Sequence, residues 1–315
     1  MRIYYASDIH GSRKCWLKFL ATPKYYGADV IVVGGDITGK FITPIIRRNG
    51  HAEATFLGIK RKLKSEQDIA KLSELIANAG QYSVEMSPDE EQTYARDQAQ
   101  VDALFQRVIC ERVEEWGRLA DERLAGQRVR CFVSPGNDDS YNVDQALAKS
   151  KVIEVHDGRV VDLGDGFSMF GLGYSNITPW NCPRDISEEE LAAKIDVLAR
   201  QIERMDRAIF DIHVPPYDTG IDSAPELTSD MTVVSDSLGA PIMVAVGSTA
   251  VREAILKYQP MLSMHGHIHE SSGVRKLGAT TIVNPGSEYA EGILRGVLID
   301  LDPREGLISA NMVTG

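Results

Sequence analysis

Hydrophobic runs rich in valine and isoleucine recur along the chain, separated by polar and glycine-containing stretches. Several runs are continuous rather than alternating, which is typical of strands that are covered on both faces. Helical patterns lie between them, and one begins at the capping box Ser187–Glu190. Strands mixed with helices predict an α/β fold. The predicted strands are Ile3–Ala6, Val30–Val33, Val129–Val133, Val160–Leu163, Met169–Leu172, Ala208–Ile212, Met261–Met264, Thr280–Val283 and Gly296–Leu301.

The segment from Phe41 to Arg128 has a different pattern, because it is highly charged and mostly helical in character. An amphipathic stripe predicts a long helix over Asp97–Arg123, and a shorter helix is predicted over Ser65–Asn78. A strand or hairpin is predicted at His51–Lys64. Without this segment the β-rich parts would join across a short loop. We therefore interpret residues 41–128 as a mostly helical insertion in one domain that spans residues 1–315.

The composition is that of an ordinary globular protein, with 43% hydrophobic and 25% charged residues among 315, which excludes disorder. Lys and Arg number 34 and Asp and Glu number 45, so the formal net charge is −11. This charge argues against a large basic surface, and nucleic acid is a possible but not a favoured partner. A basic patch at Lys60–Lys64, with Arg47 and Arg48, is interpreted as a solvated face in preference to a polyanion contact.

No apolar stretch approaches the length of a membrane span, so no membrane partner is expected. The N-terminal residues reach charged side chains too early for a secretory signal. The four cysteines form no CxxC motif, which favours reduced thiols over a zinc ribbon or a disulfide framework. These observations together predict a cytoplasmic protein.

Residues of metal-binding types directly follow five of the predicted strands. In α/β sheets, ligands bind outside the carboxyl ends of the strands, so these side chains are predicted to share one rim. Carboxylate and amide oxygens mixed with imidazoles favour Mn²⁺, Fe or Zn²⁺ over a metal that prefers thiolates. The set is too large for one tetrahedral ion but suits two ions that share a carboxylate. The candidate ligands are Asp8, His10, Asp36, Asn137, His213, His267 and His269.

The motifs that contain these residues occur in the order DxH, GGD, GNxD, a histidine after a strand, and GHxH. This series resembles the calcineurin-like metallophosphoesterases, and the resemblance extends to the closing turn Asn284–Ser287 but does not cover residues 41–128. It implies a four-layer α/β-β/α sandwich, in which two mixed sheets are flanked by helices. It also implies two divalent metal ions bridged by Asp36. The first would bind Asp8, His10, Asp36 and His269, and the second would bind Asp36, Asn137, His213 and His267.

The third motif departs from the family pattern at Asp138, where many members carry a histidine that is the proposed acid for the leaving group. An aspartate is ionised at neutral pH and is a poor proton donor. The departure therefore favours phosphodiesters or activated esters over alkyl monoesters as substrates. Asp138 and Asp139 are nevertheless the candidate catalytic residues, and Asp139 is interpreted as a group that orients a ligand or caps the following helix.

Three further residues are candidates for contact with substrate. Lys40 ends a GxxxxGK sequence, but Phe41 stands where a P-loop needs Ser or Thr, so a nucleotide P-loop is not predicted. Lys40 is also interpretable as a solvated lysine. Tyr217 and Asp218 lie in the Pro-Pro loop directly after His213, where a substrate contact and a purely structural loop are equally good interpretations.

The resulting hypothesis is a dinuclear metal-dependent phosphoesterase in which a hydroxide held between the metals attacks phosphorus in line. Its substrate would be a small-molecule or nucleotide phosphoester. One alternative is a nuclease or nucleotidase of the same fold. Another is a non-catalytic protein-binding scaffold, as in an endosomal sorting coat, although a pure scaffold has no need of seven metal ligands. The insertion is also a candidate surface for a homo-oligomer.

Overall fold

Strands and helices follow one another along the whole chain in this computed structural model, which describes residues 1–315. The strands are β1 Arg2–Ala6, β2 Val30–Gly34, β3 Ile42–Arg48, β4 His51–Phe56, β5 Ile59–Leu63, β6 Tyr82–Met86, β7 Arg130–Ser134, β8 Ile153–Val155, β9 Val160–Gly164, β10 Phe167–Leu172, β11 Ser175–Asn176, β12 Asp185–Ile186, β13 Ala208–Ile212, β14 Ser223–Pro225, β15 Met243–Ala245, β16 Leu262–Met264, β17 Gly273–Leu277, β18 Thr280–Asn284, β19 Arg295–Asp302 and β20 Gly306–Thr314. The helices are α1 Arg13–Phe19, α2 Thr22–Tyr26, α3 Glu66–Asn78, α4 Pro88–Tyr94, α5 Gln98–Leu124, α6 Asn142–Leu147, α7 Glu188–Ala199 and α8 Thr249–Tyr258.

Two six-stranded mixed sheets form the centre of the molecule. The first has the strand order β20-β19-β1-β2-β7-β8, and the second has the order β17-β18-β16-β13-β10-β9. In the first sheet β1, β2, β7 and β8 run parallel, and in the second β10, β13, β16 and β18 run parallel. The carboxyl ends of the parallel strands in each sheet therefore meet at one edge, where the predicted ligands follow.

Each sheet has a hydrophobic core on both of its faces, and successive side chains of a strand point to alternate faces. Both sets of side chains are therefore buried, which explains the continuous hydrophobic runs in the sequence. In β1, Ile3 and Tyr5 face the second sheet, whereas Tyr4 and Ala6 face the helices. The second sheet packs its outer face on α7 and α8. The order helix, sheet, sheet, helix confirms the predicted four-layer sandwich. None of the helices combines the length and apolar character that crossing a bilayer needs.

Residues 41–128 divide into two parts with different packing. The strands β3 to β6 form a separate four-stranded sheet, in the order β5-β4-β3-β6, and α3 packs on it over a small core of its own. The hairpin of β4 and β5 agrees with the predicted hairpin, whereas β3 and β6 have no counterpart among the predicted strands.

The long helix α5 belongs to the main helical layer rather than to the small sheet. Its buried face joins the core of the first sheet, and it packs along α6. Trp116 of α5 stacks on Trp16 of α1 with ring centroids 5.0 Å apart, and the Trp16 indole N–H donates to the Trp116 carbonyl at 3.2 Å. We therefore propose that the true insertion ends before α5, because the helix fills the crossover between β2 and β7.

Candidate metal centre

The loops after β1, β2 and β16 hold several predicted ligands in an unusual backbone conformation. Asp8, His10, Asp36 and His267 have φ values of 55°, 36°, 50° and 67°. Residues other than glycine rarely adopt this left-handed region, and such strained positions cluster at functional sites. The sequence folds this way because the backbone N–H groups of Asp8 and His10 bond to the carbonyls of Gly35 and Asp36. These hydrogen bonds fix the conformations of the two neighbouring loops relative to each other.

Two glycines permit the close approach of these loops. A Cβ atom added at Gly136 would lie 2.1 Å from Oδ1 of Asp36. A Cβ atom at Gly266 would lie 2.3 Å from Oδ2 of Asp8. Both positions therefore require glycine, because any side chain would displace a candidate ligand.

Three groups of ligand atoms form at this rim, each with all its atoms within 4.8 Å of one another. Two of them consist only of predicted ligands, and the third joins His10 and Asp36 to Asp138. The first group contains Asp8, His10 and His269, and the second contains Asp36, His213 and His267. The groups adjoin, because Nε2 of His10 lies 3.6 Å from Oδ2 of Asp36. Both groups therefore have the residue types and proximity to hold metal ions.

The histidines of the two groups turn one ring nitrogen towards the site. Nδ1 of His10 lies 3.3 Å from the Thr38 carbonyl, and Nδ1 of His213 donates to the Gly34 carbonyl at 2.9 Å. Such bonds select the tautomer that leaves Nε2 as a ligand. Nε2 of His213 is buried without a hydrogen-bond partner, and Nε2 of His10 lies 3.0 Å from Nε2 of His269. Two facing lone pairs would be satisfied by a cation between them.

Asn137 presents an amide oxygen to the same rim. Its Nδ2 donates to Oδ1 of Asp185 at 2.9 Å, so its Oδ1 is left buried without a partner. An unsatisfied buried oxygen is costly, and an oxygen-seeking cation would satisfy it. The Asn137 side chain therefore fits a metal-ligand role.

The electrostatics of the site favour bound positive charge. Burial raises the pKa of Asp36 to about 6, and the neighbouring His213 offsets that rise only in part. Burial alone would lower the pKa of His213, but the nearby Asp36 carboxylate raises it to about 10. Divalent cations would reverse the effect of burial on Asp36 and stabilise its ionised form.

Comparison with known proteins finds one relative in sequence and several solved structures with a similar fold. No protein-family model matches the chain. A protein named Uncharacterized protein MJ1162, from Methanocaldococcus jannaschii, is 29% identical over 184 residues, which are 56% of this chain and 75% of the relative. One crystal structure is similar over 99% of this chain and 98% of its own, with a TM-score of 0.60 and 16% identity. The crystal structure of TT1561 of Thermus thermophilus is similar over 100% of this chain and 97% of its own, with a TM-score of 0.52 and 15% identity.

The likeness at these identities concerns the fold, and the resemblance in the motifs agrees with it. The chain shares the overall fold of these two solved structures.

Asp138 lies at the rim between two partners. The Lys40 ammonium contacts its Oδ2, and the Cys182 thiol donates to its Oδ1 at 2.7 Å. Burial alone would raise the pKa of Asp138, but the Lys40 charge, the hydrogen bonds from Cys182 and Lys40 and the nearby His10 together lower the pKa to about 2. Asp138 is therefore an ion-pair partner of Lys40 and not a proton donor.

Asp139 does not belong to the ligand groups, and its carboxylate holds two loops of the site together. Its fully buried carboxylate accepts from the backbone N–H of Ile37 at 3.0 Å, Thr38 at 2.9 Å and Gly136 at 2.8 Å, and from the Thr38 hydroxyl at 2.6 Å. It therefore ties the loop of Asp36 to the loop of Asn137. This geometry agrees with an orienting role, and a catalytic role for Asp139 stays a prediction.

Tyr217 and Asp218 contact the chain around α8 and not the ligand groups. The Tyr217 N–H donates to the Ser248 carbonyl at 3.0 Å, and the Arg252 guanidinium donates to the Tyr217 and Asp218 carbonyls. The Tyr217 side chain is partly exposed and has no polar contact. The backbone of this loop is therefore held by α8, and contact of Tyr217 or Asp218 with substrate stays a prediction.

Asp185 and Cys182 are site residues that the sequence did not indicate. Cys182 lies on the loop between β11 and β12, and Asp185 is the first residue of β12. Both follow the motif residues that they contact by more than 40 residues. No short-range spacing connects them with Asn137 and Asp138. The one local signal is the sequence Cys182-Pro183, which is too common to mark a site.

We expect Asp185→Ala to weaken metal binding about 10- to 100-fold, the usual effect of removing a group that orients a ligand. Without the Asp185 carboxylate, the Asn137 amide can rotate its oxygen away from the site. Competition with a fluorescent chelator measures the affinity. Asp206→Ala, at an exposed position paired with Arg204, is the matched control. Unchanged affinity in Asp185→Ala would show that the Asn137 orientation is fixed by other contacts.

Proposed function

We propose that this chain is a dinuclear metal-dependent phosphoesterase that favours phosphodiesters or activated esters. The observation that carries the proposal is the pair of adjoining ligand groups, Asp8, His10 and His269 beside Asp36, His213 and His267. A strained backbone at four of the ligand positions supports it, because such strain is retained where function needs it. A scaffold without catalysis would have no use for that strain.

The proposed ligand sets follow the family resemblance and agree with the geometry. One ion would be held by Asp8, His10, Asp36 and His269, and the other by Asp36, Asn137, His213 and His267. Asp36 would be shared, since its Oδ2 lies 3.6 Å from Nε2 of His10 and its Oδ1 lies 3.4 Å from Nε2 of His213. Manganese, iron or zinc suit this mixture of oxygen and imidazole donors.

Divalent ions held at these positions supply Lewis-acid polarisation of phosphoryl oxygens and a nucleophilic hydroxide at neutral pH. The residues of the chain hold the ligands in place. The Asp8 carboxylate accepts from the His267 N–H, with its two oxygens at 3.1 and 2.9 Å. The Asp36 carboxylate accepts from the Asp138 N–H at 3.1 Å. These bonds fix the carboxylates before substrate arrives, as preorganised sites require.

The preference for diesters rests on the pair of Lys40 and Asp138. The Lys40 ammonium is positioned to attract the substrate phosphate, while the Asp138 carboxylate repels additional negative charge. A phosphodiester carries one negative charge and a monoester carries close to two at neutral pH. The pair also lacks the imidazole that would protonate an alkoxide. Both features favour a diester with an acidic leaving group.

A nucleotidase is a better second candidate than a nuclease. The cleft of about 460 Å³ beside His269 is lined by Glu270, Glu288 and Glu291, and its only basic side chain, Arg295, is paired with Glu288. Such a cleft repels the backbone of a polynucleotide. A small mononucleotide places fewer charges there.

The proposed function is tested by metal removal and restoration. The protein is stripped with a chelator and then supplied separately with Mn²⁺, Fe²⁺ or Zn²⁺. We expect about two ions per chain by elemental analysis and turnover of bis-p-nitrophenyl phosphate that returns with metal. A stripped protein that binds no metal, or that binds two ions without turning over any phosphoester, would contradict the proposal.

A further inference from the structure

Trp180 projects into solvent beside the candidate metal centre although its loop is tightly held. The residue is 64% exposed, whereas the other two tryptophans, Trp16 and Trp116, are buried. It is flanked by Pro179, and Pro183 follows three residues later, so the loop has little conformational freedom. A large aromatic ring held in water on a constrained loop is available to stack on a ligand with little loss of conformational entropy.

The loop of Trp180 is anchored on both sides to residues of the site. Before it, the Thr178 N–H and hydroxyl donate to Oδ2 of Asp185 at 2.9 and 2.5 Å. After it, the Cys182 N–H donates to the same oxygen at 3.0 Å, and the Cys182 thiol donates to Asp138. Because Asp185 also holds Asn137, the loop and the rim form one unit.

A second exposed aromatic ring, that of Phe41, belongs to the chain neighbour of the other residue that contacts the Asp138 carboxylate. Phe41 is 61% exposed and directly follows Lys40, whose ammonium contacts Oδ2 of Asp138. Cys182 contacts Oδ1 of the same carboxylate. Neither Phe41 nor Trp180 stacks on another aromatic ring of the chain. Two exposed rings without a stacking partner therefore follow or precede, by one and two residues, the two side chains that hold the Asp138 carboxylate.

We propose that Phe41 and Trp180 bind the base of a nucleoside that is attached to the phosphate at the metal centre. The inference rests on the proposed phosphoesterase function and narrows its substrate class to small nucleotide esters. Every base has a π-face that stacks on aromatic side chains, so the stacking does not depend on which base is present. A rigid tryptophan provides this face with little loss of conformational entropy.

The surrounding charges favour a small nucleotide over a polymer or a lipid surface. The cleft on the His269 side is lined by three glutamates, which would repel the further phosphates of a nucleic-acid strand. The net charge of −11 opposes binding to an anionic membrane. A single nucleoside needs neither a basic groove nor a membrane.

Binding is tested on the metal-loaded protein with two probes that differ only in the base. Adenosine 5′-monophosphate carries the base, and ribose 5-phosphate has the same sugar and phosphate without it. We expect the adenine compound to quench the fluorescence of the exposed Trp180, and isothermal titration to show at least about fivefold tighter binding than ribose 5-phosphate. Quenching is readable because the other tryptophans are buried.

Variants identify the rings responsible. Trp180→Ala should weaken adenosine 5′-monophosphate binding about 5- to 150-fold and leave ribose 5-phosphate binding unchanged. Trp180→Phe should restore most of the affinity, and Phe41→Ala should show a smaller selective loss. Tyr25→Ala, at an exposed aromatic residue of α2, is the matched control. Thermal melting confirms that each variant is folded.

The outcomes separate this inference from the proposed function. Equal affinities for the two probes, or an affinity for adenosine 5′-monophosphate that Trp180→Ala does not change, would overturn the inference. Tighter binding of octyl phosphate than of adenosine 5′-monophosphate would also overturn it, because an alkyl chain and not a base would then occupy the rings. Metal-dependent turnover of bis-p-nitrophenyl phosphate by the unmodified protein reports on the proposed function independently.

Discussion

Asp36→Ala is expected to lose both bound ions and to lower kcat for bis-p-nitrophenyl phosphate by at least about 10²–10³-fold, the loss seen when one preorganised electrostatic group is removed. The reason is geometric, because the two Asp36 oxygens lie against histidines of different ligand groups. Removing the carboxylate deprives both ions of a ligand and of the negative charge that offsets them. Elemental analysis after gel filtration and the initial rate at saturating Mn²⁺ measure the two effects.

The control for Asp36→Ala must exclude simple unfolding. Asp36→Asn keeps the shape of the side chain and the acceptor for the Asp138 N–H, but it has no negative charge. It should therefore also bind both ions more weakly than the unmodified protein. Asp206→Ala should retain two ions and full activity, because its carboxylate is exposed and pairs with Arg204, outside the motif residues. An Asp36→Ala protein that is folded and still binds two ions would refute the shared-ligand assignment.

Asp138→His is expected to raise kcat/KM for an alkyl monoester such as glycerol phosphate by up to about 10²–10⁴-fold, the usual range for general acid catalysis. The imidazolium would protonate an alkoxide leaving group, which the Asp138 carboxylate does not, since its ion pair with Lys40 keeps its pKa low. Esters that release p-nitrophenolate should change little, because that leaving group departs without a proton.

A second substitution separates proton donation from the loss of negative charge. Asp138→Asn removes the charge and adds no acid, so it should help all monoesters modestly and alkyl esters no more than aryl esters. The measurement is kcat/KM for glycerol phosphate, p-nitrophenyl phosphate and bis-p-nitrophenyl phosphate at fixed Mn²⁺. If the unmodified enzyme already cleaves glycerol phosphate as fast as the aryl diester, another group supplies the proton.

The candidate ligands could be predicted from the sequence because each follows a strand that is recognisable locally. A continuous apolar run such as Val30–Gly34 is buried on both faces, and its carboxyl end must lie at the sheet edge. The structure brings Asp8, His10, Asp36, His213, His267 and His269 together at that edge. Their metal-binding role itself remains a prediction.

The substrate-contacting residues were harder to predict than the ligands. They were chosen because they lie close in sequence to a motif, and not because they directly follow a strand. Lys40 lies at the rim through its ion pair with Asp138, whereas the contacts of Tyr217 and Asp218 are with the chain around α8. The direction of a loop after a strand is decided by turns and by hydrogen bonds such as the one that the Asp218 N–H donates to the Asp222 carboxylate at 2.8 Å. A sequence pattern does not encode that direction.

Sequence alone thus determined the α/β class, the order of the central strands along the chain and the residue types at their ends, because each of these depends on contacts within a few residues. Tertiary structure alone decided that α5 joins the main helical layer, since an amphipathic stripe shows that a helix is covered without showing what covers it. It also decided that β3 and β6 pair in parallel, although β4, β5 and α3 lie between them in the chain. The same holds for Asp185, which orients Asn137 across 48 positions of chain, because a hydrogen bond between distant residues exists only when the complete fold has brought them together.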